Sequence, residues 1–345
     1  MPLLTTTIGA FPKPDYVPRR AWFHDVAAVG EADGDDLNDE QVLAIHDRAT
    51  IDVVEAQADA GIDIPTDGEV RRENYIHYHC RHMTGFEPET LTERAMRNGA
   101  WVDAVPTFTG PIKPTEPFLP RDYQVAQAAT DRPVKITVPG PLTISDSTAD
   151  LHYGDVKAWC GDLADALNAE ILALAEAGCR HIQVDEPLFA RLPDQALDYG
   201  VENLERCFHG VPRQVTRTMH MCCGYPDKLD ETDYVKADPE VYQRLAGALD
   251  AAAIDAVSLE DAHRHNDLSL LEKFQSTKVI FGAVEIASSQ IETVEHISAR
   301  LEQALQHIDA DRLLAAPDCG LIMLGHDLAV AKLKNLAEAA HSIPT

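Results

Sequence analysis

Residues 155–185, DVKAWCGDLADALNAEILALAEAGCRHIQVD, decide the fold class. Within 155–177, Cys160, Leu163, Leu167, Ile171 and Leu174 recur every three or four positions, which gives a helix one apolar face. Gly178 is placed to end that helix. HIQVD at 181–185 then reads as a short strand that runs out in acids. A helix feeding a buried strand is half of a parallel crossover unit.

The unit recurs on both sides. Downstream, strands are expected at 214–220, 256–260, 278–286 and 312–316. Helices are expected at 239–252, from about 268, at 293–307 and at 327–340. Upstream, 4–9, 62–65 and 134–138 fit strands, and 40–60 is a long helix. Eight strands with helical crossovers predict an α/β fold, a (β/α)8 TIM barrel, as one domain over 1–345. The stretch 104–123 breaks the alternation. It carries Pro106, Pro111, Pro114, Pro117 and Pro120, and is expected as a loop or hairpin excursion over the barrel mouth. No internal repeat or low-complexity tract is visible.

The chain has 345 residues, with 57 Asp+Glu against 29 Lys+Arg and a net charge of −28. That balance argues against a nucleic-acid binder, which needs a basic footprint, and against attraction to anionic membranes. An apolar content of 45% is enough for a packed core. No run of 18 apolar residues is present, so no spanning helix is expected. The start, MPLLTTTIG, lacks a basic region and a long apolar core, so no signal peptide is expected. Seven cysteines, an odd number, point to reduced thiols in a cytoplasmic protein rather than a disulfide framework.

In a barrel, chemistry sits at the C-terminal ends of the strands. The polar residues that end these strands are Glu69, Asp185, His220, Cys222, Glu260 and Cys319. His220 and Cys222 are two apart, so strand alternation puts them on the same side. One His, two Cys and one carboxylate suit zinc in a tetrahedral site. The rival reading of HMC alone is a core cysteine beside a surface histidine.

The wider pattern resembles the catalytic C-terminal barrel of cobalamin-independent methionine synthase and its shorter single-barrel versions. The matching stretches are IGAFP (8–12), DGE (67–69), GPLTI (140–144), QVDEP (183–187), HMC (220–222), LE (259–260) and PDCG (317–320), in family order. The resemblance implies a zinc ion held by His220, Cys222, Glu260 and Cys319. It also implies that Glu69 and Asp185 hold the ammonium of homocysteine, with the backbone of Ile8, Gly9 and Ala10 meeting its carboxylate. The activity so implied is zinc-dependent methyl transfer to the homocysteine thiol, giving methionine. The donor would be a methyl-folate, methylcobalamin or a methyl group delivered by an accessory protein.

Three departures fall on this pattern. Ala10 stands where the family has Ser. Ser147 stands where the long members have a Trp near the folate. Ala287 stands where they have a His thought to relay a proton. His263, His265 and His326 are the candidate replacements for that relay, each weighed against a solvated loop histidine. Lys113 matches the folate-side Lys-Pro, and Lys113, Arg71 and Arg72 are the cations that would offset an anionic donor. HYHCRH at 77–82 is a second His/Cys cluster, read as lining the mouth or an oligomer contact rather than holding metal. Cys223 faces away from Cys222 in a strand, and Cys160 reads as core. Asp185 and Glu186 have an alternative reading as strand-end acids that cap a following turn. Two rival functions remain: alkyl transfer to another thiol such as coenzyme M with epoxide opening, and a non-catalytic zinc-binding barrel.

Overall fold

Buried β-branched and apolar stretches, most of them preceded by a helix, assemble side by side into a parallel sheet. A computed structural model describes residues 2–17, 39–96, 101–224, 228–231, 236–238 and 240–344. In chain order the first half runs β1 (Leu4–Thr5), α1 (Asp39–Asp59), α2 (His77–Cys80), β2 (Phe86–Met96), β3 (Trp101–Phe108), α3 (Leu119–Ala128), β4 (Lys135–Pro139), α4 (Pro141–Ser147), β5 (Ala149–Asp150) and α5 (Val156–Glu176). The second half runs β6 (His181–Asp185), α6 (Leu188–Arg191), α7 (Pro193–Gln195), α8 (Val201–Cys207), β7 (Thr216–Met221), α9 (Val241–Ala251), β8 (Ala256–Leu259), β9 (Lys278–Val284), α10 (Val294–Ala304), β10 (Leu313–Pro317) and α11 (His326–Ser342).

Seven strands pair in the order β1-β10-β9-β8-β7-β6-β4, all in parallel. Residues 64–66 close the gap between the two ends. Ile64 bridges Thr6 and Thr66 bridges Lys135, both in parallel, with Ile64 N–H donating to Thr5 O and Lys135 N–H to Pro65 O. The result is the eight-stranded barrel expected from the alternation. Its interior holds a small apolar cluster of Ile8, Ile64, Ala256, Ile280, Leu314 and Ala316. The larger core lies between strands and helices, where Leu163, Leu167, Ile171 and Leu174 of α5 are all buried. Asp155 caps α5 by accepting from Lys157 N–H, and Gly178 at φ +106° stops the helix. Among the described residues no helix is long and apolar enough to cross a membrane.

Two expectations need correction. The excursion is a long antiparallel hairpin, β2 against β3, that begins at Phe86 rather than at 104. Only 104–108 of the expected stretch lies in it. Pro106 fits because the pairing slips there, and Pro120 opens α3, where a missing N–H is harmless. The guanidinium of Arg94 donates to the carbonyls of Ser145 and Thr148 on the mouth side of β4, so the hairpin does reach over that end. The second correction concerns the crossover from β8 to β9. The helix expected from about 268 is there, but as six residues of 3-10 rather than α-helix, Leu268–Lys273.

Glu170 of α5 accepts from the N–H groups of Phe118 (3.1 Å) and Leu119 (2.7 Å), the first donors of α3. Burial raises its carboxyl to about 7 against the pull of those two bonds. The folded value lies above the unfolded one, so stability present below about pH 4.5 is lost as pH rises through about 7. Glu170→Gln keeps an acceptor and removes the charge. Its unfolding free energy from urea titrations should vary less than the parent's between acid and neutral pH, by at most about 3 kcal/mol. Parallel profiles for the two proteins would move that pH dependence to another group.

Candidate functional site

The C-terminal ends of β7, β8 and β10 carry the ligand candidates. His220 lies in β7, and Cys222 follows its last residue. Glu260 follows β8, and Cys319 comes two residues after the end of β10. One ligand atom each from His220, Cys222 and Cys319 lies within 4.8 Å of the others. His220 Nε2 is 3.4 Å from Cys319 Sγ, while Nδ1 meets the Ser258 hydroxyl at 3.0 Å. Nδ1 is thereby oriented by the neighbouring strand, and Nε2 is left to face the two sulfurs. A sulfur–nitrogen gap near 3.4 Å is what two vertices of a zinc tetrahedron span, given bonds of about 2.3 and 2.0 Å.

Glu260 is outside that mutually close set. It is buried at 4% exposure, and its Oε1 has no hydrogen-bond partner. Tyr242 of α9 links the two strand ends, donating to Met221 O (3.0 Å) and accepting from Glu260 N–H (3.2 Å). The hydrogen bond from Cys319 holds Cys222 well below the usual thiol range, and that thiolate pushes Cys319 up. Burial, with the Cys222 thiolate adding to it, raises Glu260 well above the carboxylate range. Buried groups that are anionic when ionised, gathered around one imidazole, are unfavourable without a cation. Their donor set, nitrogen, two sulfurs and an unpartnered carboxylate oxygen, fits zinc.

A second cluster lies beside the first. Gly68 and Glu69 both adopt left-handed backbone, at φ +67° and +55°, a strained turn that places the Glu69 carboxyl in the barrel. Glu69 Oε1 accepts from the Thr137 hydroxyl at 2.6 Å and pairs with Arg72 at 3.0 Å. Asp185 accepts from Gln183 Nε2 at 2.7 Å and from the Tyr75 hydroxyl at 3.1 Å. Burial raises Asp185 to about 6, with His220 opposing and Glu69 adding. Gln183 Nε2 also donates to Ile8 O, the Thr66 hydroxyl to Gly9 O, and Leu321 N–H to Ala10 O. With those carbonyls engaged, what this turn offers an anionic ligand is its N–H groups.

Gly9 lies hard against this cluster. A Cβ there would come within 2.5 Å of Glu69 Oε1. Gly9→Ala should displace the Glu69 carboxyl, raising the KM for an amino-acid thiol at least tenfold, about 1.4 kcal/mol, with metal content unchanged. Steady-state kinetics beside metal analysis checks this, and a parental KM would detach Glu69 from the amine.

The adjacent acids Asp185 and Glu186 have different roles. Glu186 accepts from Leu142 N–H, Thr143 N–H and the Thr143 hydroxyl, so it caps α4 as a strand-end acid. Gly140 is bare because a Cβ would lie 2.2 Å from that carboxyl. Arg71 and Arg72 are not free for a donor: Arg71 pairs with Asp47 and Asp122, and Arg72 with Glu69. Lys113 is exposed, its backbone paired with Thr84. His326 is exposed at the start of α11, edge-on to Phe11 at 5.9 Å. His263 is not a solvated loop residue. Its ring is buried and bonded to Asp318 at 2.6 Å, whereas that of His265 is half exposed. HYHC at 77–80 is helical, not extended, and His82 stacks on Phe118 at 3.9 Å. Cys160 and Cys223 are buried outside the ligand group. Tyr75, Thr137, Ser258 and Tyr242 had no motif to announce them, and Asp318 stood in PDCG with no role assigned to it.

A family model described as the catalytic domain of cobalamin-independent synthase matches residues 3–342. A methionine synthase of Saccharolobus solfataricus is 29% identical over 98% of this chain and 94% of its own length. One from Pyrococcus abyssi is 28% identical over 99% and 94%. The solved B12-independent methionine synthase of Shewanella sp. W3-18-1, in complex with selenomethionine, superposes with a TM-score of 0.85. It is 29% identical and is matched over 99% of this chain and 97% of its own.

Proposed function

The chain belongs to the family of the cobalamin-independent synthase catalytic domain, and on that premise we propose which of its residues carry the methyl transfer to homocysteine that this family membership brings. It is a methyltransferase, acting on homocysteine and a methyl donor. The whole matched span is taken as one catalytic barrel.

His220, Cys222 and Cys319 would hold zinc, with Glu260 as the fourth and most replaceable ligand. Zinc, when bound, keeps a substrate thiol as thiolate near neutral pH. Glu260 suits exchange because its Oε1 has no competing hydrogen bond to break. Glu69 and Asp185 receive the substrate ammonium. Tyr75 and Gln183 aim Asp185, and Thr137 with Arg72 aims Glu69. The N–H groups around Ile8, Gly9 and Ala10 receive the carboxylate. The substrate sulfur then forms a bond to the methyl carbon as the carbon's bond to its donor breaks, and the thiol proton leaves to solvent. By the resemblance Lys113 would face the methyl donor, and His326, edge-on to Phe11 at 5.9 Å, would be the exposed base.

The observation that carries this reading is the juxtaposition of a three-donor N/S/S group with two buried carboxylates. That pairing also favours an amine-bearing thiol over a sulfonate such as coenzyme M, since Arg71 and Arg72 are already engaged. The donor class is a methyl-folate, methylcobalamin or a methyl delivered by an accessory protein. The test is methionine formation from homocysteine by zinc-loaded protein with each small donor in turn. Methionine from one of them is expected. Methylation of coenzyme M but not of homocysteine would overturn the assignment of the amine site.

A further inference from the structure

Asp318 is fully buried between the end of β10 and Cys319. Its Oδ1 accepts from the N–H groups of Asp261 and Ala262, both at 2.9 Å. Its Oδ2 accepts from His263 N–H at 2.8 Å and meets the His263 ring Nδ1 at 2.6 Å. The other ring nitrogen, Nε2, accepts the N–H of Ala287 at 3.2 Å, which places the ring proton on Nδ1, towards Asp318. Asp318 N–H in turn donates to Val284 O at 3.0 Å. One carboxylate and one imidazole thus join the ends of three strands: β8 through 261–263, β9 through Val284 and Ala287, and β10 through Asp318 itself.

The fold is cut to admit this carboxylate. A Cβ at Gly282 of β9 would lie 2.2 Å from Asp318 Oδ1 and 2.9 Å from its Cα. The joined turns are those that carry two of the ligand candidates. Glu260 directly precedes Asp261, and Cys319 directly follows Asp318. Hydrogen bonds to an ionised acceptor are the stronger kind, and four converge here.

We propose that Asp318 and His263 are positioning residues for the metal centre. They fix the backbone at Glu260 and Cys319 relative to each other, so that ligand exchange moves only the Glu260 side chain. The proposal rests on the zinc reading above. Neither residue touches substrate. Their effect is on the spacing of the ligands, and partners that orient metal ligands typically carry 10–100-fold in affinity.

The test measures zinc affinity by competition with a chromophoric chelator, and the visible absorption of the cobalt-substituted protein, for the parent, Asp318→Asn and His263→Ala. Leu167→Ala, a core substitution on α5, is the control for plain loss of stability. The expected result is a roughly 10–100-fold loss of zinc affinity and an altered cobalt spectrum in both site variants. The control should melt lower and keep the parental affinity. If Asp318→Asn does not fold, His263→Ala decides alone. A folded His263→Ala with parental affinity and spectrum overturns the proposal. A parent that takes up no zinc overturns the zinc reading itself, so the two failures are told apart.

Discussion

Cys319→Ser should purify as a folded barrel that holds little zinc and transfers no methyl group. The Cys319 sulfur lies 3.4 Å from His220 Nε2 and within 4.8 Å of the Cys222 sulfur, so it is central to the donor group. Serine offers a hard, neutral hydroxyl where a soft thiolate stood, and zinc binds that weakly near neutral pH. Zinc–protein sites with this kind of ligand set are worth roughly 10–16 kcal/mol. Losing one of four ligands therefore removes about 3–4 kcal/mol, on the order of 10²–10³-fold in affinity. The fold should survive, because Cys319 is partly exposed beyond the end of β10 and takes no part in the barrel's interior cluster. Cys222→Ser should behave alike. Metal content after dialysis, read beside circular dichroism and Tm, checks both. Full occupancy in either folded variant would mean that the ligands were misassigned.

Asp185→Asn should leave zinc in place and weaken homocysteine. Asp185 is buried at 5% exposure, with two donors, Gln183 and Tyr75, aimed at it. Burial makes its charge unfavourable in the free protein, and a substrate ammonium relieves that directly. Asparagine keeps the shape and removes the charge. Truncating one partner of a buried charge pair costs about 2–5 kcal/mol. The expected rise in KM is therefore on the order of 10²–10³-fold, with metal content unchanged. An unchanged KM takes Asp185 out of the amine site, and a loss of zinc would mean that it supports His220 instead.

The barrel strands were legible because most are short apolar runs fed by a helix of period 3.6. The α5–β6 unit shows it best, with its Asp155 cap and Gly178 stop. The hairpin was legible as an excursion over the mouth but not in its bounds. Its first strand, FEPETLTERAM, alternates no apolar residues, because much of it is solvated on both faces. The prolines at 106–120 pointed to a loop, yet Pro106 sits at a slip in pairing and Pro120 at a helix start. In the site, the strand-end His220, Cys222 and Cys319 could be read from order alone, since a barrel brings strand ends together. The residues that aim them could not. Ser258 and Tyr242 act through cross-strand register and helix packing, which no local pattern encodes, and PDCG marks Asp318 without showing what it holds. Glu186 takes the strand-end capping role the sequence offered for it, its carboxylate holding the first N–H groups of α4.

The central claim is that the buried N/S/S group holds zinc and trades Glu260 for substrate sulfur. X-ray absorption at the zinc edge, on zinc-loaded protein with and without homocysteine, reads this directly. The account predicts two sulfurs with one nitrogen and one oxygen at rest. Homocysteine should then add a third sulfur at about 2.3 Å while the oxygen is lost. A shell that keeps two sulfurs when homocysteine is bound would contradict it.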